Sequence, residues 1–371
     1  MSKIRSALLA PWLMAQGPMS VGGQAILEGI MMRSPHSLAI AVRRPNGDIV
    51  VKEDAWVSVW ERARFLRKPL LRGAVVLFES LHNGVKALSF SANEAAKALE
   101  ETSPGRTPDD GKAPAPPSKA ADAAILGTII VSGLFGFALF AALPHFLTWL
   151  AGTVTGNASL ASGKDLSFQL VDGVIKIALL LGYLYAISRL KDIQRVFQYH
   201  GAEHKSIYCY EAGQALTVAN ARTFTRLHPR CGTSFLLITF VVSVLLFSAV
   251  FPLLPTFSSI KAVNQLIYVF IKIPLMFPVA GIAYEATRLS VRFPTNPLVR
   301  ALTWPGLMLQ HITTREPDDS QLEIALVALQ KTLWREEHLD AKSGSDEPEV
   351  FDSYGRFTEQ MGEFGALPVA A

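Results

Sequence analysis

Apolar residues are spread unevenly along this chain, and their spacing separates water-facing stretches from lipid-like ones. Four runs are apolar almost without interruption: 123–150, 168–188, 234–255 and 263–284. At about 1.5 Å of helical rise per residue, roughly 20 residues cross a hydrocarbon core of about 30 Å. The pattern predicts transmembrane helices 1–2 in residues 123–188 and helices 3–4 in 233–286. The segment between the pairs, 189–232, is polar and carries Arg189, Lys191, Arg195, Lys205, Arg222, Arg226 and Arg230. The links inside each pair carry only Lys164 and Lys261 as basic residues. Basic loops stay in the cytoplasm, so the central link and both chain ends are expected there.

Outside the spans the periodicity changes. Residues 20–100 read as a cytoplasmic β-hairpin plus an amphipathic helix. Residues 38–43 and 49–52 are apolar runs flanking Asn46-Gly47, a strong hairpin signal because both residues tolerate the positive φ of a type I′ turn. Over 61–100, Leu70, Leu71, Val75, Leu77, Phe78, Leu81 and Val85 form one apolar face. Arg72, Glu79, His82 and Lys86 make it an amphipathic helix lying on the membrane or on the bundle, not a span. Residues 101–122 are a Pro/Ala-rich linker. In 287–338, Ser320-Gln321-Leu322-Glu323 gives a capping-box pattern, and Leu322, Ala325, Leu326, Leu329 and Leu333 a helical stripe, so a docked cytoplasmic helix is expected. Polar, Gly-containing 339–371 reads as a flexible tail. The expected fold class is mainly α and integral to the membrane, with about four transmembrane helices, a small N-terminal β-containing cytoplasmic unit and a C-terminal amphipathic helix.

Composition supports this picture. Half of the 371 residues are hydrophobic, the mean hydropathy is +0.28, and 18% are charged, below the roughly 25% of soluble proteins. The net charge of +4 is small, and no basic tract interleaved with aromatics suggests a nucleic-acid partner. Two cysteines, Cys209 and Cys231, exclude a disulfide framework and suit a reducing compartment. The first residues faintly resemble a signal peptide, but Pro11 interrupts the apolar run. Gly22-Gly23-Gln24 also occurs in the catalytic loop of peptide-release factors, though nothing around it reads as that domain.

The candidate chemistry lies in the central link. If the second span continues as one helix to about Ala212, His200 and His204 lie one turn apart with Glu203 beside them. This is the His-x-x-Glu-His order in which two imidazoles hold zinc and the carboxylate acts as general base. Glu211 shares that face but is roughly 16 Å along the axis from His200, too far for one ion. Cys209 points away and reads as packing. Gly201 weakens the helix by about 1 kcal/mol relative to Ala. His228, Cys231 and Glu285 are candidates for completing the site, the last a carboxylate at the cytoplasmic end of the fourth span. Three ligands would leave an open position, and four would close it. The same residues also read as a hydrogen-bonded core pair, and Cys231 beside His228 as a thiol nucleophile without an orienting third group. Within the spans, Asp172 and Lys176 are expected to pair, and Lys272 near Pro274 and Pro278 motivates a transport reading.

The segments 22–35, 199–205, 228–235, 281–285 and 313–319, in this order, resemble the YqhQ-like family of bacterial membrane proteins, which have a domain of unknown function. The resemblance runs from about residue 20 to 335 and implies membrane residence. It also implies a label of predicted metal-dependent enzyme, without a reaction or substrate. The leading expectation is a multi-pass inner (plasma) membrane protein with cytoplasmic termini and metal-dependent hydrolase-like activity. His200 and His204 are ligands, zinc the favoured divalent metal, and Glu203 the catalytic base. The rivals are a non-catalytic assembly or scaffold protein and a small transporter or channel subunit. The expected partners are the lipid bilayer and a second copy of the chain.

Overall fold

Short runs of Ile, Val, Met and Ala near the N-terminus are too brief for helices and alternate between two faces, which favours strands. In the computed structural model, which describes residues 21–102, 119–293, 296–339 and 347–363, they form β1 (Gly22–Ile26), β2 (Gly29–Arg33), β3 (Ser37–Arg43) and β4 (Ile49–Ala55). The strands run as an antiparallel meander, with Met31 opposite Ile40 and Val42 opposite Val50. The hairpin at Asn46-Gly47 forms, but its turn is not type I′. Of that pair only Gly47 has positive φ, 100°, because the loop is longer and closes through Arg44 N–H to Asp48 O and Gly47 N–H to Arg44 O. The signal-like start and most of the 101–122 linker lie outside the described residues.

The sheet is buried on both faces. Ile26, Met31, Leu38, Ile40 and Val42 pack against Ala87 and Phe90 of α1 (Leu71–Thr102). Ile30, Met32, Ala41, Ile49 and Val51 face α5 (Lys191–Glu211) and α9 (Asp319–Glu337). Period-two alternation thus feeds two cores, the pattern of a sheet covered by helices on each side. The docked helix α9 is buried nearly all round. Its capping box is Asp318 with Gln321, two residues upstream of the expected Ser320-to-Glu323 pair.

The expected flexible tail needs correction. β5 (Glu349–Phe351) extends the sheet beside β4, and α10 (Tyr354–Glu363) follows. Its short polar sequence carries little strand signal. The free edge of β4, Lys331 Nζ at 2.8 and 2.9 Å from the Glu349 carboxylate, and the Phe351–Phe357 ring contact hold it.

Among the described residues, four helices are long and apolar enough to cross a membrane: Ile130–Thr155, Leu166–Ile187, Gly232–Leu253 and Lys261–Leu289. The first runs from α2 (Lys119–Phe137) through a π turn into α3 (Leu143–Thr155). The others are α4 (Leu166–Ile187), α6 (Gly232–Val250) with its 3-10 extension, and α7 (Lys261–Arg292). Their outward surface is apolar, with Val174 69% and Val131 66% exposed. Inside, both carboxylate oxygens of Asp172 lie 3.1 Å from Lys272 Nζ, and Lys176 Nζ lies 3.3 Å away. Lys272 is therefore an ion-paired group of the bundle.

The second span does not run on into the His segment. α4 stops at Ile187, and an extended Leu190 starts α5 as a separate helix. The break lets α5 turn between the sheet and the bundle. There Gly201 meets the chain after α8 (Pro297–Thr313): an added Cβ would lie 2.1 Å from the Arg315 carbonyl oxygen. Gly201→Ala is therefore expected to destabilise the protein by about 1–3 kcal/mol through overpacking. Gly182→Ala, with open space around it, should not. Thermal unfolding of the two variants in detergent checks this, and equal melting temperatures would contradict it.

Candidate metal centre

Helical spacing puts His200 and His204 on successive turns of α5, with ring centroids 4.4 Å apart. His200 Nδ1 lies 2.8 Å from the Thr313 carbonyl oxygen, and His204 Nδ1 lies 2.5 Å from that of Arg226. A carbonyl can only accept, so each Nδ1 carries the hydrogen and each Nε2 keeps its lone pair. His200 Nε2 is 3.1 Å from Cys231 Sγ, and buried His204 Nε2 makes no hydrogen bond. The donor atoms of His200, His204 and Cys231 all lie within 4.8 Å of one another. Tetrahedral zinc holds such ligands about 3.5 Å apart, so modest tightening encloses an ion.

Cys231 is the N-cap of α6, its sulfur accepting from Thr233 N–H at 3.4 Å. Its sulfur thereby faces the two imidazoles, and sulfur binds metal as the thiolate. Burial pushes the His204 imidazole below its ordinary pKa, which keeps it in the neutral, ligating form. An orphaned imidazole nitrogen, two carbonyl-oriented rings and a capped thiol make a group that could hold a metal ion.

The remaining predicted residues sit elsewhere. His228 borders the group, its ring centroid 5.5 Å from that of His204, but both its nitrogens are committed. Nδ1 accepts from Arg230 N–H at 3.2 Å and Nε2 faces Glu211 Oε2 at 3.4 Å. Burial pushes its pKa down to about 4. The imidazole beside Cys231 is thus His200, not His228. Glu285 is engaged by Arg72 of α1, Nε to Oε1 at 2.6 Å, and lies outside the group. Glu203 turns toward β1, accepts from the Gly23 backbone N–H, and keeps Oε2 buried without a partner. Burial raises its carboxyl pKa above the ordinary range. An added Cβ at Gly23 would lie 2.9 Å from this carboxyl, so that glycine makes room for it. Cys209 is buried in the sheet-side core, its thiol pushed up to about 11 by burial.

Three groups escaped the sequence reading: the carbonyls of Thr313 and Arg226, and the Gln310 side chain. Gln310 accepts from His228 N–H at 2.7 Å and donates to the His228 carbonyl at 2.7 Å and Ser234 Oγ at 2.9 Å, fastening the Cys231 turn to α8. A backbone carbonyl has no side-chain signature, so only the fold reveals its role.

The family profile described as "Protein of unknown function (DUF1385)" matches residues 68–335. The chain belongs to the DUF1385 family. The matched region holds α5, the Cys231 turn and all but the last two residues of α9. The chain is also similar to the protein of Bacillus subtilis (strain 168) described as "Uncharacterized protein YqhQ", 33% identical over 323 residues, covering 85% of this chain and 93% of the relative. No solved structure matches it.

The raised pKa of Glu203 has a signed consequence. Its protonated form stabilises the fold fully below the unfolded value of 4.5, and that contribution is lost as pH rises through the higher folded value. In metal-free protein, Glu203→Gln should therefore gain melting temperature relative to wild type as pH rises from about 4 to about 8. A pH-independent difference would contradict the assignment.

Proposed function

We propose that this chain is a metal-dependent hydrolase of the inner membrane, with its site at the cytoplasmic face. One observation carries the reading: His200 Nε2 meets Cys231 Sγ at 3.1 Å and His204 Nε2 lies unpaired beside them, while both Nδ1–H groups are tied to backbone carbonyls. Three protein ligands leave a tetrahedral ion one open position, as in catalytic sites. A bound zinc supplies Lewis acidity and a water of lowered pKa.

The chain's own residues do the rest. Thr313 and Arg226 hold the imidazoles in the ligating tautomer. Cys231, at the start of α6, would supply the sulfur ligand. Glu203 is assigned proton acceptance although its carboxyl turns toward β1, because it is electrostatically coupled to His200 and His228 and its raised pKa suits exchange closer to neutral pH. The sheet, α5 and α9 form one layered unit, so the N-terminal strands, the basic central link and the C-terminal helix share one side of the bundle. The seven basic residues of that link support a cytoplasmic assignment.

A second reading, a non-catalytic membrane scaffold with a structural cluster, is favoured by the burial of His204 and Cys231, only 1% and 4% exposed. Metal analysis and cobalt substitution of detergent-purified protein separate the two. The hydrolase reading expects one metal per chain, loss in His200→Ala/His204→Ala, and loss of the thiolate–cobalt absorption in Cys231→Ser. It further expects added azide to perturb the cobalt spectrum through the open position. Bound metal insensitive to azide would favour the scaffold. Wild type without stoichiometric metal under metal-replete conditions would remove the metal reading.

A further inference from the structure

A cleft of about 760 Å³ opens where the end of α4 meets the end of α8 and the following chain. Its size lies within the roughly 300–1,000 Å³ of small-molecule sites. Three guanidiniums from three separate segments line it: Arg189 after α4, Arg226 before α6, and Arg315 after α8. Their hydrogen bonds go to neutral acceptors. Arg189 bonds the Tyr185 hydroxyl, Arg226 donates to the Thr314 carbonyl at 2.7 Å, and Arg315 donates to the Ser188 carbonyl at 3.1 Å. The one carboxylate lining the cleft, Glu316, is 66% exposed and is held by Lys205, with Arg226 only at 3.9 Å. The cleft therefore has an excess of fixed positive charge.

We propose that this cleft binds a phosphate-bearing anion, supplied either as a phospholipid headgroup or as a soluble phosphate compound. Guanidinium groups match phosphate oxygens in geometry and charge, and converging arginines form charge-assisted contacts stronger than neutral ones. Tyr185 and Arg189 lie at the point where α4 leaves its apolar stretch, the headgroup depth if α4 spans the bilayer. That placement rests on the membrane reading above, whereas the charge of the cleft does not. Arg226 also links the cleft to the candidate metal centre, since its carbonyl orients His204.

The test uses full-length protein in detergent. Native mass spectrometry measures retention of phosphatidylglycerol against phosphatidylcholine, and thermal unfolding measures stabilisation by inorganic phosphate. Arg189→Gln removes an exposed cleft arginine, and Lys191→Gln removes an exposed cation just outside the cleft lining. Wild type should retain phosphatidylglycerol preferentially, and Arg189→Gln should lose about tenfold in retention, the scale of one charge-assisted contact. Phosphate that displaces the lipid places the headgroup phosphate in the cleft. Stabilisation of wild type but not Arg189→Gln by phosphate, without lipid retention, identifies a soluble source. His200→Ala/His204→Ala should keep either behaviour, which separates this proposal from the metal reading. Absence of both effects in wild type would overturn it, as would equal losses in Arg189→Gln and Lys191→Gln or unchanged binding in Arg189→Gln.

Discussion

Two hydrogen bonds from imidazoles to backbone carbonyls set the geometry on which the rest of the site depends. The carbonyls of Thr313 and Arg226 accept from Nδ1 of His200 and His204, tying a polar helix to the end of α8 and to the loop before α6. Burying α5 would otherwise be costly, because every unpaired polar group taken from water is destabilising. The neighbouring groups follow the same logic. Lys205 Nζ donates to the Arg222 carbonyl at 3.0 Å, and Ser206 Oγ to the Glu203 carbonyl at 2.8 Å. Among the described residues of this helix, the buried side-chain atoms without a hydrogen bond are His204 Nε2, Glu203 Oε2 and Glu211 Oε1, the last of them ion-paired with Arg230.

The scaffold that holds α5 is assembled from distant parts of the chain. Tyr199, Ala202 and Ile207 of α5 share one core with β2, β3, β4 and α9. β5 closes the far edge of the same sheet. On the other side, the apolar helices meet through contacts such as Leu180 and Leu184 with Leu237 and Leu309. The buried Asp172–Lys272 pair adds a specific electrostatic register between α4 and α7, which a purely apolar seam lacks. α5 thus lies between a layered α/β unit and an apolar bundle, and its histidines face the junction.

Much of this was legible from spacing. The four apolar runs, the strands around Asn46-Gly47, the helical pairing of His200 with His204, and the packing role of Cys209 all follow from local periodicity. What local periodicity could not show was long-range. Leu190 breaks the helix between α4 and α5 by its own backbone conformation, although the surrounding pattern is continuous. Glu349–Phe351 becomes a strand because β4 offers an edge. His228 looks as good a ligand as His200 in sequence, yet Arg230 N–H and Glu211 occupy its two nitrogens. Glu285 looks like an unattended carboxylate at membrane depth until α1 brings Arg72 to it. The DUF1385 match over residues 68–335 takes in α5, His228, Cys231 and Glu285 without assigning a reaction, so the chemistry rests on the geometry.

The central claim is a metal centre built from two imidazoles and one thiolate. X-ray absorption fine structure at the zinc edge of purified, zinc-loaded protein tests it most directly. The account predicts one sulfur at about 2.3 Å, two imidazole nitrogens at about 2.0–2.1 Å and one further light atom. A zinc shell lacking sulfur, or lacking the multiple scattering of imidazole, would contradict it.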